Sequence, residues 1–166
     1  MGLIHNFLYL DAGKYSDDIW KKIQYHPLRL GNEPISESDY VNFHDDLLRY
    51  FHDYFVWIKL YNPCKKEYVN GFCYYGITTI HDDALSQMKS ILYGLLLIFE
   101  NAPNMVRLKG NFVKDVADNV GNVDRDSGYY EYIYIEKDKI IIFFNKINTL
   151  IERAVENKGC ILHLGI

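Results

Sequence analysis

Hydrophobic and polar positions follow two rhythms along this chain, and the rhythm changes several times. Leu3-Ile4-His5-Asn6-Phe7-Leu8-Tyr9-Leu10 reads as a strand, closed by Asp11-Ala12-Gly13. Ser16 followed by Asp17 and Asp18 predicts a helix start, and the short helix it opens should carry Ile19, Trp20 and Ile23 inward. Pro27, Gly31 and Pro34 make the next stretch a loop. A second helix, capped by Ser36 or Ser38, places Tyr40, Phe43, Leu47, Tyr50, Phe51 and Tyr54 at spacings of three and four, the period of one helical face. Residues 54–61 fit helix or strand, and Asn62-Pro63 ends them. Asn70-Gly71 then predicts a turn into Phe72-Cys73-Tyr74-Tyr75-Gly76-Ile77.

The clearest helix runs over about 83–101, with Asp82 as its cap and Asn101-Ala102-Pro103 as its stop. Its middle, Ile91 to Phe99, is apolar on nearly every side, as a central core helix is. Gly94 inside it costs about 1 kcal/mol relative to Ala, so close packing against a neighbour is the expected reason for it. Met105 to Val113 reads as a strand, and 114–128, with Gly121, Gly128 and four aspartates, as a loop. Tyr130 to Ile135 is a strand and Lys137-Asp138 a turn, while 140–144 either finishes a hairpin or begins the last helix. Ile147, Leu150, Ile151, Ala154 and Val155 keep helical period up to a Lys158-Gly159 cap, and Cys160 to Leu164 makes a final strand. Strands and helices mix without regular alternation, and no glycine-rich strand-to-helix turn occurs. The pattern therefore predicts one α+β domain over 1–166, mainly an antiparallel sheet packed with about four helices.

Composition narrows the function. Hydrophobic residues make up 49% of 166, enough for a proper core. Eighteen Lys and Arg against 22 Asp and Glu give a net charge of −4, which argues against direct nucleic-acid binding and towards a basic protein partner. Three cysteines without a CxxC pair suit a reducing compartment, and the N-terminus has no secretory pattern, so a cytoplasmic location is expected. Gly2 does not open a myristoylation motif, because Asn6 stands where Ser or Thr is required. The richest apolar run, Ile91 to Phe99, falls well short of the roughly 18 residues a membrane span needs.

Candidate chemistry is sparse. His44-Asp45-Asp46-Leu47-Leu48-Arg49-Tyr50-Phe51-His52-Asp53 is the most enzyme-like stretch. On a helix, His44 and His52 stand about 12 Å apart and cannot share a metal ion. The stretch is either an acidic helix face balanced by Arg49, or the site of a small enzyme using His44 or His52 as base. Asn122-x-Asp124-x-Asp126 starts like a calcium loop, but Ser127 replaces the required glycine and Ile133 the bidentate glutamate. His81-Asp82-Asp83 reads as a helix cap, and His5 and His163 as satisfied core or edge histidines. Cys64 and Cys73, with eight residues between them, can meet across a hairpin but have no zinc-finger partners. GxSxG, GxxxxGK[ST] and GxGxxG are absent, so no catalytic, cofactor or metal residue is assigned.

Tyrosine is the compositional excess, with 15 in the chain. Tyr50, Tyr54 and Tyr93 hold helix-periodic, core-like positions, whereas Tyr130, Tyr132 and Tyr134 share one face of a strand beside the aspartate-rich loop. That row is either a recognition surface or a ladder covered by a helix of its own domain. A compact, acidic, aromatic-rich α+β chain without catalytic signatures resembles the small immunity proteins of bacterial toxin systems. The resemblance is one of general character over the whole chain, so no family residue carries over. It implies a cytoplasmic binder that neutralises a cognate, basic toxin domain. Charge and exposure put Asp45, Asp46, Asp53, Asp118, Asp124, Asp126, Tyr130 and Tyr132 at the contact. A structural or adaptor subunit is the remaining alternative.

Overall fold

Two strands with apolar residues on both faces organise the molecule. The computed structural model describes residues 4–16, 18–25, 28–114 and 128–165. In chain order the elements are β1 (Ile4–Leu10), β2 (Ile23–Tyr25), β3 (Leu28–Leu30), β4 (Glu33–Pro34) and β5 (Tyr40–His44). Then follow α1 (Asp45–Phe55), β6 (Lys59–Asn62), β7 (Glu67–Asn70), β8 (Ile77–Ile80) and α2 (Asp83–Glu100). The chain closes with β9 (Met105–Lys114), β10 (Gly128–Glu136), α3 (Lys137–Glu156) and β11 (Cys160–Leu164). The main sheet has six strands in the order β5-β1-β11-β8-β6-β7, all paired antiparallel. Beside it stand a two-stranded sheet, β10-β9, and a three-stranded one, β2-β3-β4. The α+β class and the antiparallel pairing agree with the sequence pattern.

Both faces of β1 and β11 are covered, which is why neither strand alternates cleanly with polar residues. Phe7, Tyr9, Ile80 and Ile161 face the helices and pack with Leu48 and Phe51 of α1, Met88 and Leu92 of α2, and Phe144 and Ile147 of α3. Leu8, Leu10, Leu162 and Leu164 face the other way and close a smaller core with Ile19, under Trp20, Ile23 and Leu28. Burying one such side chain contributes roughly 1.5–3 kcal/mol, so the two-sided centre holds the fold.

Several local expectations are corrected. There are three α-helices among the described residues, because 18–23 forms only the tight turn Ile19–Lys22 before the chain extends into β2. The second helix starts at Asp45, since 40–44 pairs with β1 as strand β5. Its cap is His44, whose Nδ1 accepts from the Asp46 amide at 3.3 Å, while Ser36 caps the short turn Glu37–Asp39. Tyr50, Tyr54 and Tyr93 are exposed rather than core. Residues 54–61 are divided, with helix to Phe55 and strand from Lys59. Lys137-Asp138 is no turn, because β10 runs straight into α3, which includes 140–144. Asp82 stands at the N-cap of α2 as expected, but its carboxylate accepts from His81 Nδ1 at 2.8 Å instead of from a helix amide.

The long apolar helix α2 is central on one side only, where Leu85, Met88, Leu92, Leu95, Leu96 and Phe99 are buried. Tyr93, Leu97 and Ile98 are exposed, and a Cβ at Gly94 would meet nothing within 4 Å, so close packing is not its reason. Gly159 is sterically required instead, as a Cβ there would come 2.3 Å from the Leu10 carbonyl oxygen. No described helix is long and apolar enough to cross a membrane.

Candidate interaction surface

The pairing register of β9 and β10 determines which side chains meet. Tyr134 lies opposite Arg107, Tyr132 opposite Lys109 and Tyr130 opposite Phe112, with an irregularity between Tyr130 and Tyr132. Gly110 sits at that irregularity, where a Cβ would come 3.1 Å from the Glu131 carbonyl oxygen. Opposed residues of an antiparallel pair share a face. The inner face presents Val106, Leu108, Ile133 and Ile135 to the core. The outer face gathers Tyr130, Tyr132, Tyr134, Phe112, Arg107 and Lys109.

No described helix covers this outer face. Tyr130 is 42% exposed, Tyr132 47% and Tyr134 63%. Two cations sit among the rings. The Arg107 guanidinium lies 4.7 Å from the Tyr132 ring centre, and the Lys109 ammonium 3.4 Å from that of Tyr130. Phe112 meets Tyr130 edge to face at 5.1 Å between centres. Among the described residues, neither cation has a carboxylate partner.

Between this hairpin and α1 lies a cleft of about 470 Å³ lined by Asp46, Arg49, Tyr50, Lys109, Glu131 and Tyr132 among others. Of the eight expected contact residues, the structure brings Asp46 and Tyr132 together here, with Tyr130 beside them on the outer face. Asp53 stands fully in solvent on α1, 4.0 Å from His52 Nδ1. Asp118, Asp124 and Asp126 lie outside the described residues.

Asp45 corrects the reading of an outward acidic face, because its side chain is buried. As the first residue of α1 it points back under the helix, where Oδ1 accepts from His5 Nε2 at 3.2 Å and from the Tyr74 hydroxyl. Its Oδ2 pairs with Arg49 at 3.2 Å, and Arg49 Nε also donates to the Tyr74 oxygen at 2.7 Å. Behind His5 the chain of bonds continues. His5 Nδ1 and His163 Nε2 are 3.0 Å apart, and His163 Nδ1 is 3.0 Å from Thr78 Oγ1.

The carboxylate can only accept, and with both buried rings neutral, as burial favours, that fixes the direction of the whole line. His5 Nε2–H donates to Asp45, His163 Nε2–H donates to His5, and the Thr78 hydroxyl donates to His163. Burial, and secondarily the His5 charge, holds His163 well below the usual histidine range. Burial also lowers His5, outweighing the opposing pull of the Asp45 hydrogen bond and charge. Sequence reading placed both histidines in strands but did not find their partners.

Of the two histidines expected as candidate bases, His44 places its Nδ1 3.3 Å from the Asp46 carboxylate and lines a hollow of about 360 Å³ with Glu136 and Lys139. His44 is engaged at its helix cap, and His52 stands on the surface of α1 rather than at a pocket floor. Cys64 and Cys73 come together around Asn62, whose Nδ2 donates to Cys73 Sγ at 3.1 Å and whose Oδ1 accepts from the Cys64 amide at 2.9 Å. Burial and the neighbouring Cys73 raise the Cys64 thiol, and burial pushes the Cys160 thiol up to about 12, so both are poor nucleophiles at neutral pH. No group of three or more His, Cys, Asp or Glu among the described residues is placed to hold a metal ion. No protein family, curated protein or solved structure matches the chain.

Proposed function

We propose that the protein is a binder that docks a protein partner on the outer face of β9 and β10 and neutralises it, as an immunity protein does to a cognate toxin domain. One observation carries this reading: three tyrosines in a row, with Phe112 beside them, remain in solvent on a strand whose other face is anchored in the core. Tyrosine offers a large contact area with few rotamers to freeze, and hot spots of protein interfaces are enriched in it. The core-anchored inner face holds the row in place before a partner arrives, which lowers the ordering cost of association.

The test is co-expression with the products of the genes flanking its own. The wild-type protein should form a complex stable to size-exclusion chromatography and relieve any growth arrest its partner causes. The combined Y130A, Y132A and Y134A variant should lose both while keeping its circular dichroism spectrum. A triple variant that still forms the complex and protects equally well overturns the proposal.

A further inference from the structure

The chain is acidic overall, yet the charged groups seated on the tyrosine rings are cations, while Asp46 and Glu131 line the cleft at the edge of this face. Arg107 and Lys109 are the charged groups among the rings of the outer face, and neither is neutralised by a described carboxylate. Glu136, at the end of β10, is already held by Lys139 at 3.1 Å. A cation lying on a ring is dehydrated on the ring side and keeps donors free on the other. The Arg107 guanidinium can still engage a carboxylate through two parallel N–H groups. Resting on the binder reading above, we infer that this face receives an acidic, extended segment of the partner protein, its carboxylates on Arg107 and Lys109 and the methylene stems of the same side chains on Tyr130, Tyr132 and Tyr134.

The geometry sets a pattern for that segment. Arg107 and Lys109 are two positions apart on one strand, about 7 Å along its axis at roughly 3.4 Å per residue. An extended segment with acidic residues at every second position repeats at the same interval, and its intervening side chains point to the opposite side. Covering the pair excludes water and makes each ion pair stronger than the weak, screened one it would be in solvent.

A single-stranded nucleic acid is also an anion that favours aromatic rings, and it fits less well. One face of Tyr130 and one of Tyr132 already carry a cation, so a base stacking there would have to displace Lys109 or Arg107. Two positive groups on a chain of net charge −4 also counter few phosphates of a strand with one charge per nucleotide.

The experiment follows backbone amide shifts of the labelled protein by NMR during titration with three probes. These are a capped pentapeptide alternating glutamate with valine, its counterpart with lysine for glutamate, and a short oligothymidylate. The glutamate peptide should give saturable shifts confined to 105–112 and 129–135, weakened by added salt. The charge-reversed R107E and K109E pair should weaken it by about tenfold or more. The neutral pair R107Q and K109Q should fall between, and it keeps the test valid if the reversed pair does not fold. Binding of the lysine peptide or the oligothymidylate as tight as that of the glutamate peptide overturns the inference, and so does the absence of saturable shifts. The complex obtained by co-expression separates this inference from the one beneath it. If the triple tyrosine variant loses that complex and R107E with K109E retains it at full strength, the binder reading stands and the acidic segment falls.

Discussion

The β9–β10 hairpin and the end of the main sheet where His5 meets His163 are built from similar material and come to opposite ends. Each sets amphipathic rings and charges on β-strands. At the sheet end, α1 and residues 72–74 close over β1 and β11, and the polar atoms of His5, His163 and Thr78 find one another. On the hairpin, only the inner face is closed over, so Tyr130, Tyr132, Tyr134, Arg107 and Lys109 keep free polar ends in solvent. The difference lies in cover, not composition. A polar group becomes structural where a second layer forces it to find a partner, and stays available where none does.

The largest expected effect tests the closed region. Asp45→Ala leaves the His5 Nε2–H, the Tyr74 hydroxyl and Arg49 without their common acceptor. We expect a loss of about 3 kcal/mol in urea unfolding, the scale for breaking a buried charged hydrogen-bond set. A loss below about 1 kcal/mol, the usual scale of an ordinary surface contact, would show that the buried line does not support the fold.

Acid should act on the same region, and the sign follows from the lowered histidines. Both are neutral when folded and bind protons readily near pH 6.5 when unfolded. The unfolded state therefore takes up more protons below that pH, so stability is full above about pH 6.5 and falls as the pH drops through it. Asp45, Arg49, Tyr74 and Thr78 are the charged and polar groups facing the pair. The profile should flatten at its acid end in a His163→Phe variant, if that ring is accepted beside Phe7 and Phe72. A wild-type stability unchanged between neutral and acid pH would break the comparison, because the buried line would then carry no protonation cost.

These two regions also show what was legible in the chain. The row Tyr130, Tyr132, Tyr134 follows from period two alone, and so does its placement on one face. The sign of its charge was not legible, because Arg107 and Lys109 reach it from another strand, through a register set at an irregular pair. The buried line was hidden for a stronger reason. Its bonds join residues 158, 40 and 85 positions apart, and nothing in a local window announces them. The boundary at 40–45 failed because Phe43 and Leu47 fit a helical spacing while Val41 and Phe43 fit a strand, and only pairing with β1 decides between them. Helix α2 was visible because its apolar run is long, but a run that is apolar all round does not reveal which side stays open.

A smaller effect tests that open side. Gly94→Ala adds a methyl where nothing stands within 4 Å, so it should raise stability by about 0.5–1 kcal/mol through helix propensity. A destabilised variant in thermal unfolding would mean that the outer side of α2 is closed over after all, like the sheet end.

The smallest effects should come from the tyrosines, and their order carries the argument. Among the described residues, neither a ring nor a cation is seated against Tyr134, so Tyr134→Ala should change stability by less than about 0.5 kcal/mol. Tyr130 holds Lys109 on its face and Phe112 at its edge, and Tyr130→Ala should cost about 0.5–1 kcal/mol. Both values are small beside the expected loss at Asp45, although a tyrosine ring is far larger than a carboxylate. Such a ranking means that the fold does not depend on these rings, so stability gives no reason for holding a row of them in water. A loss of several kcal/mol at Tyr134 would reverse that logic and make the hairpin a second structural region. If the loss is negligible, the row's role has to be found in what comes to cover it.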